Sequence, residues 1–284
     1  MSKAPQWLKI GTPNQEKLKN MLRLMESLGV NTICTSAKCP NAGECFAEDT
    51  ATFLILGPNC SRSCRFCAVG HEPLGGVDPE EPLKLAQAVA KLGLKYVVIT
   101  SVTRDDLPDY GADQFKAVIT KIKENDPAMR VEVLIPDLMG DEQALAAIVQ
   151  AGPDVIGHNL ETVPRLYPKV LPKSFYGRSL RILQAVKEIR PSLVTKSSLM
   201  VGLGEAEAEL DEVFHDLHGI GCDILTLGQY LRPTPQQLPI ERYVDQEEFS
   251  RYREMALAAG IREVYGGPLV RSSYHAREVF QNLS

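Results

Sequence analysis

Six of the seven cysteines fall into two tight groups, Cys34, Cys39 and Cys45 as C-x4-C-x5-C, and Cys60, Cys64 and Cys67 as C-x3-C-x2-C. Segments this short bring three thiols within reach of one metal centre. A cubane [4Fe-4S] cluster normally takes four cysteine thiolates, so a triplet leaves one iron open to a different ligand. The residues of the second triplet also admit a closed zinc site of the Cys3His type, because His71 follows Cys67 with three residues between them. No local cysteine completes either group. The seventh, Cys222 in Gly221-Cys222-Asp223-Ile224-Leu225, reads as a small buried residue at the start of a strand.

Thiols can serve a metal only if they stay reduced. Seven cysteines in 284 residues do not form the dense disulfide framework of a small secreted domain. Residues Met1 to Gly11 show neither the basic end and apolar core of a secretion signal nor the Arg- and Ser-rich character of a transit peptide. The longest apolar runs, such as 52–56 and 96–99, fall far short of the roughly 20 residues that span a bilayer. A cytoplasmic protein is therefore expected, with no membrane segment. A hydrophobic fraction of 44% and a charged fraction of 24% are ordinary globular values. The formal net charge of -5 gives no general field for holding nucleic acid.

The elements that must position the cysteines are legible in the periodicity. Leu18, Met21, Leu22, Met25 and Leu28 recur at helical spacing between Asn14 and Leu28, and Gly29 supplies the stop. A cysteine-bearing loop is expected from Asn31 to Asp49. Beyond it, short apolar runs near 52–57, 95–101, 130–135, 154–157, 194–200 and 223–228 alternate with amphipathic stretches near 79–92, 111–125, 141–151, 177–190 and 205–219. That alternation predicts parallel strands with crossover helices. Asp78-Pro79-Glu80-Glu81 offers a cap, a first-turn proline and acids at the positive end of one helix, which Gly93 closes. A helix near 245–259, a strand-like run at Ile261 to Tyr265 and a helix after Arg271 complete the chain. Pro233-Thr234-Pro235 and Leu238-Pro239 mark a loop. The fold class expected is α/β, a partial (β/α)6 TIM-like barrel at 52–232 with an N-terminal extension at 1–51 and a C-terminal extension at 233–284.

Polar residues follow each expected strand: Cys60 to Cys67, Thr100-Ser101, Pro136-Asp137, His158-Asn159-Leu160-Glu161, Ser197-Ser198 and Gln229-Tyr230. Ligands of parallel α/β folds bind at the carboxyl ends of the strands, which places the reactive centre there. An iron left open by three thiolates at such an end suits the amino and carboxylate groups of S-adenosylmethionine in radical chemistry. Gly202-x-Gly204 reads as a tight turn before the next helix, not as a phosphate loop. Arg178, Arg181, Lys187 and Arg190 share one expected helix, either as a solvated face or as a docking surface for an acidic carrier domain.

The run C-T-S-A-K-C-P-N-A-G-E-C-F followed by C-S-R-S-C-R-F-C resembles the lipoyl synthases. The resemblance extends over almost the whole chain, through Tyr96 to Val102 with Arg104-Asp105-Asp106-Leu107, His158 to Glu161, Lys196 to Glu205, Leu225 to Leu231 and Arg271-Ser272-Ser273-Tyr274-His275. It implies a radical S-adenosylmethionine sulfurtransferase of protein lipoylation with two [4Fe-4S] clusters. On that resemblance the cluster of Cys60, Cys64 and Cys67 reduces S-adenosylmethionine to methionine and a 5'-deoxyadenosyl radical, with Phe66 beside the adenine. The radical removes hydrogen from carbons 6 and 8 of an octanoyl chain on a carrier-domain lysine, at the expense of two S-adenosylmethionine molecules. The auxiliary cluster on Cys34, Cys39 and Cys45 donates both sulfurs.

The resemblance further implies a serine of Arg271-Ser272-Ser273-Tyr274 as the fourth auxiliary ligand, with Ser273 preferred to Ser272. An alkoxide on a soft iron-sulfur site is more replaceable than thiolate. From the residues alone the pair reads as the capped start of the last helix. Thr100, Ser101, Asn159, Glu161 and Lys196 are the expected contacts to the ribose and methionyl parts of S-adenosylmethionine, while His158 divides evenly between ligand contact and a structural role. The implied partners are octanoylated lipoyl domains of a 2-oxoacid dehydrogenase E2 or glycine cleavage H protein type, an electron donor such as ferredoxin or flavodoxin, and iron-sulfur assembly proteins. Neither nucleic acid nor membrane is among the expected partners.

Three other readings stay open on the residues. Another sulfur-inserting radical enzyme, such as a biotin synthase or methylthiotransferase, is opposed by the C-x4-C-x5-C group. A two-cluster electron-transfer protein has no use for six strands with polar ends. A zinc-stabilised scaffold is colourless where an anaerobic iron-sulfur protein is brown.

Overall fold

A computed structural model describes residues 15–39, 41–47 and 52–283, together with Pro5 and Leu8. It divides into two compact units. One holds the described residues from Gln15 to Ser63 and Ala68 to Ile156, and the other holds Cys64 to Cys67 and the described residues from Gly157 onward.

The first unit begins with helix α1 (Gln15–Leu28), which ends where Gly29 turns left-handed at φ 64°. Asn14, the expected start, lies outside the described residues, as does Asp49 at the end of the expected cysteine loop. Met25 of α1 is buried, whereas Leu22 is exposed in spite of its helical spacing. The cysteine segment is not the irregular loop expected. It contains a short strand β1 (Asn31–Thr32) and helices α2 (Ile33–Ser36) and α3 (Ala42–Ala47). Strand β2 (Thr52–Ile55), helix α4 (Glu81–Lys91), β3 (Tyr96–Ser101), α5 (Ala112–Asn125), β4 (Arg130–Leu134) and α6 (Glu142–Gln150) follow. Strand β1 pairs antiparallel with β2, and β2 with β3 and β3 with β4 run parallel, in registers that set Leu54 against Thr100 and Thr100 against Leu134. Continuous apolar strands suit a sheet covered on both faces. Phe53, Ile99, Val131 and Val133 are fully buried, as are Phe115 and Ile119 of α5.

The cap expected at Asp78 takes another form. Helix α4 starts at Glu81 with Pro82 in its first turn. The Asp78 carboxylate instead accepts from the amide of the N-cap residue Glu80 at 2.9 Å, two residues ahead of the cap position. Gly93, at φ 64°, closes α4 as expected.

Strand β5 (Val155–Gly157) leads into the second unit, which contains α7 (Tyr167–Val170), α8 (Tyr176–Ile189), β6 (Val194–Val201), α9 (Glu207–Gly219), β7 (Ile224–Gln229), α10 (Gln246–Ala258), β8 (Glu263–Gly267) and α11 (Ala276–Gln281). Strands β6, β7 and β8 are parallel neighbours, with Lys196 opposite Ile224 and Leu227 opposite Gly266. Leu199, Val213, Phe214, Leu225, Leu227 and Phe249 form the heart of its core. The six expected strands thus appear as β2 to β7, and the run near Ile261 to Tyr265 as β8. Residues 233–239 form the loop expected of them. No helix among the described residues is long and apolar enough to cross a membrane.

Gly228 shows why β7 ends as it does. A Cβ on Gly228 would stand 2.1 Å from the Val270 carbonyl oxygen, so the backbone leading to Arg271 can lie across β7 only because no side chain is there.

Candidate active site

In the first unit, the C-x4-C-x5-C thiols ride on short hydrogen-bonded turns. Thr32 caps α2 by accepting from the Cys34 amide at 3.2 Å, and its hydroxyl donates to the Thr52 carbonyl of β2 at 2.8 Å. The Cys39 amide donates to the Cys34 carbonyl at 2.9 Å, and the Cys45 amide to the Asn41 carbonyl at 2.9 Å. Cys34 is buried, and Cys39 and Cys45 are half-buried.

The strand that delivers Cys60 is fixed at its end. Leu56 is left-handed at φ 68°, an uncommon state for a branched side chain. Its amide donates to the buried Glu81 carboxylate at 3.0 Å, while Arg104 reaches its carbonyl at 3.4 Å. Gln114 donates to the same Glu81 oxygen at 2.7 Å. Burial is the largest influence on Glu81 and raises its pKa. The Cys60 amide donates to the Gly70 carbonyl at 2.8 Å. Its sulfur is the acceptor for two backbone amides, Arg62 at 3.4 Å and Thr103 at 3.3 Å. Amides aimed at a sulfur are the donors that a cluster-bound thiolate accepts from.

Thr100 and Ser101 close β3. The Thr100 hydroxyl donates to the Leu134 carbonyl at 3.0 Å, which binds it to the sheet. The Ser101 hydroxyl oxygen is buried with no partner, an unusual cost for a polar group unless something else occupies its surroundings.

In the second unit, Cys64 to Cys67 form a turn closed by the Cys67 amide on the Cys64 carbonyl at 3.0 Å. The Arg65 amide donates to the Val170 carbonyl at 2.9 Å, the Leu238 amide donates to the Arg65 carbonyl at 3.0 Å, and the Gln237 side chain donates to the Cys67 carbonyl at 3.0 Å. Cys64 and Phe66 pack against the core of this unit. The 233–239 loop therefore acts as a brace for the cysteine turn.

After β5, the backbone of His158 to Glu161 is stitched to β6. The His158 amide donates to the Lys196 carbonyl at 3.0 Å, the Leu160 amide to the Ser197 hydroxyl at 3.2 Å, and the Glu161 amide to the Ser198 carbonyl at 3.0 Å. His158 and Lys196 are buried. Glu161 is left-handed at φ 67° and is held by the Asn159 side-chain amide, which donates to its carboxylate at 3.0 Å. The residue as a whole is half-buried, but its carboxyl group lies among protein atoms. That burial pushes its pKa up to about 7, against the opposing hydrogen bond from Asn159. The Asn159 carbonyl oxygen is buried without a partner.

Gly202 and Gly204 make the turn expected of them, at φ 97° and 105°. The amides of Gly202 and Leu203 are occupied by the Glu205 carboxylate at 2.6 and 2.9 Å, so a phosphate has no place there. Gln229 is likewise spent on the fold, donating to the Tyr230 and Arg242 carbonyls and accepting from the Val244 amide.

Ser272 and Ser273 do not cap the last helix. The N-cap of α11 is His275, left-handed at φ 50°, with no side-chain cap bond. Both serines are half-buried in a turn closed by the Tyr274 amide on the Arg271 carbonyl at 3.0 Å, and Arg271 donates to the Gln229 carbonyl at 3.3 Å.

All seven cysteines are thiols, none joined in a disulfide. Among the described residues, no three Cys, His, Asp or Glu side chains are gathered as a ready site for one metal ion. His71, the fourth ligand of the zinc reading, is exposed. The donor set nonetheless fits an iron-sulfur ligand loop: half-buried thiols on hydrogen-bonded turns, with amides directed at one sulfur. Cys222, the seventh thiol, is buried, and burial pushes its pKa up to about 12.

The four cations expected on one helix are largely engaged elsewhere. Lys187 pairs with Asp223 at 2.5 Å and Arg181 with Glu188 at 2.6 Å, while Arg178 stacks on the exposed Phe175 ring at 5.0 Å.

Arg62, between Cys60 and Cys64, and Glu81, a first-turn acid of α4, make long-range contacts that no local spacing signals.

The sequence profile of the radical SAM superfamily matches residues 54–217. The chain is 51% identical over 281 residues to a lipoyl synthase of Alkaliphilus metalliredigens, covering 99% of this chain and 97% of that protein. It is 53% identical over 275 residues to a lipoyl synthase of Caldanaerobacter subterraneus, covering 96% and 95%. Its fold is similar to that of Streptococcus suis SuiB bound to S-adenosylmethionine, with a TM-score of 0.60 at 12% identity over 89% of this chain and 60% of that one. The α/β alternation is that of the partial TIM-like barrel.

Proposed function

Because the chain belongs to the lipoyl synthase family of the radical SAM superfamily, we propose that its two cysteine groups divide the work of sulfur insertion between reduction and sulfur supply. The enzyme is a radical S-adenosylmethionine sulfurtransferase that uses [4Fe-4S] clusters. It inserts two sulfur atoms, at C6 and C8, into a protein-bound octanoyl-lysine. The observation that carries this reading is half identity to lipoyl synthases along nearly the whole chain, in a sequence that contains two cysteine triplets.

Cys60, Cys64 and Cys67 would hold the reducing cluster, and Cys34, Cys39, Cys45 and Ser273 would hold the sulfur donor. When bound, the first cluster supplies the electron that cleaves S-adenosylmethionine. The protein's part is binding and orientation. Three thiolates would leave one iron free to take the amino and carboxylate groups. Ser101 and Asn159 offer buried oxygens that still need donors, and Asn159 also fixes the Glu161 carboxylate. Thr100 and Lys196 would be further contacts, and Phe66, packed against core, would offer a ring to the adenine. Ser273 is a hard ligand that thiol-rich iron releases more readily than it would a fourth cysteine.

In this reading, residues 1–51 carry the sulfur donor, 52–232 the radical chemistry, and 233–284 the closing ligand. The substrate is a lipoyl carrier and a reductant supplies electrons. The carrier would be an E2 or H-protein type domain, the reductant a ferredoxin or flavodoxin, with iron-sulfur assembly proteins restoring the donor in the cytoplasm. The test is anaerobic incubation with an octanoylated carrier-domain peptide, S-adenosylmethionine and a reductant. Mass analysis should find two sulfurs gained, with two hydrogens lost only where the dithiol closes to the disulfide. A brown, cluster-loaded protein that cleaves S-adenosylmethionine but leaves the peptide mass unchanged would refute the reading.

A further inference from the structure

We propose that Arg62 is a positioning residue: by bridging Asp105 and Asp137, its guanidinium aims two backbone amides at Cys60 Sγ and thereby raises the reduction potential of the cluster held there. This rests on the assignment of Cys60, Cys64 and Cys67 as that cluster's ligands.

Arg62 Nε and Nη2 donate to the two oxygens of Asp105 at 2.7 and 2.8 Å, and Nη2 also donates to Asp137 Oδ1 at 2.6 Å. Met139 Sδ lies 3.2 Å from the same nitrogen. Arg62 is 5% exposed and Asp137 2% exposed. Burying a guanidinium is costly unless it is paired and hydrogen-bonded, and a fold that needed only stability is served as well by apolar side chains. Here the ion network ties the loops after β2, β3 and β4 together.

The ties continue through the backbone. The Ser61 amide and hydroxyl both donate to the Thr103 carbonyl, at 2.9 and 3.0 Å, and the Asp105 amide donates to the Ser61 hydroxyl at 3.0 Å. Residues 60–62 are thus zipped to 103–105. The two amides that reach Cys60 Sγ, from Arg62 and Thr103, come from the two sides of this zipper. A thiolate-ligated cluster gains negative charge when reduced. Donors aimed at its sulfur stabilise that charge and raise the potential. If the bridge is loosened, the amides drift and the potential falls.

Arg62→Lys keeps the charge, but one ammonium cannot reproduce the planar fork that spans two carboxylates. The holoenzyme is titrated anaerobically and followed by electron paramagnetic resonance, in the component of the reduced spectrum that S-adenosylmethionine perturbs. Arg62→Lys should retain its iron and show about tenfold less reduced cluster at a given poise. For a one-electron couple that is a potential about 59 mV more negative. Cleavage of S-adenosylmethionine should slow with little change in its KM. An iron-loaded Arg62→Lys protein with the wild-type potential overturns the proposal. If Arg62→Lys loses iron, Asp105→Asn decides, because it weakens the fork and leaves both amides and all thiols in the chain. A negative shift supports the proposal and an unchanged potential overturns it. A wild-type enzyme with no signal responsive to S-adenosylmethionine removes the ligand assignment itself, whereas a normal wild type with unshifted variants removes only the role of Arg62.

Discussion

Asn159 donates its side-chain amide to the Glu161 carboxylate at 3.0 Å and leaves its own carbonyl oxygen buried and unsatisfied. One end of the amide organises an acid, and the other faces a gap in the hydrogen bonding. Replacing Asn159 with Ala should therefore weaken S-adenosylmethionine binding about tenfold, the worth of one hydrogen bond near a charged group. The measurement is the KM of reductive cleavage, with a smaller change in kcat.

Glu161 should impose a pH dependence. Burial lifts its pKa from the ordinary 4.5 to about 7, so between these values the folded chain holds a proton that the unfolded chain has released. Stability is then lost as pH rises through that window. Urea unfolding of the wild type should show a midpoint that falls from pH 5 to pH 8, and Glu161→Gln should flatten the trend. A Gln variant with the same slope would place the titration elsewhere.

The two cysteine groups should separate by function. Replacing Cys60, Cys64 or Cys67 with Ala should abolish cleavage of S-adenosylmethionine. The same change at Cys34, Cys39 or Cys45 should leave cleavage and stop sulfur insertion. Lipoyl product from a Cys39→Ala enzyme would contradict the division. Cys222→Ala should keep the full iron content, since its thiol is buried, has its pKa pushed up to about 12, and is spent on the Ile224 carbonyl at 3.4 Å.

Because neither serine caps α11, Ser273→Ala should cost little stability while blocking sulfur insertion, and Ser272→Ala should be tolerated. Equal loss in both variants, with a lowered Tm, would make the pair structural. Ser273→Cys should retain a cluster that gives up its sulfur more slowly.

Gly228→Ala should test the backbone that crosses β7. The added Cβ meets the Val270 carbonyl at 2.1 Å, and overpacking of this kind costs about 1–3 kcal/mol. A lower Tm together with impaired sulfur insertion is expected, because the displaced backbone leads directly to Arg271 and Ser273.

Much of this protein is written locally in its sequence. Strand and helix alternation follows from side-chain period, so β2 to β7 and their helices were readable within a few residues, and the thiol groups declare metal chemistry by spacing alone. The elements around Cys34 to Cys45 were not readable, because β1 has two residues and exists only through pairing with Phe53 and Leu54. Tertiary structure alone decided which charges meet. Arg62 finds Asp105 and Asp137 from 43 and 75 positions away, and Lys187, legible as a surface cation, is drawn off to Asp223. Periodicity records which face a residue takes on its own element. Long-range ion pairing depends on where separate loops converge, and no local spacing encodes that.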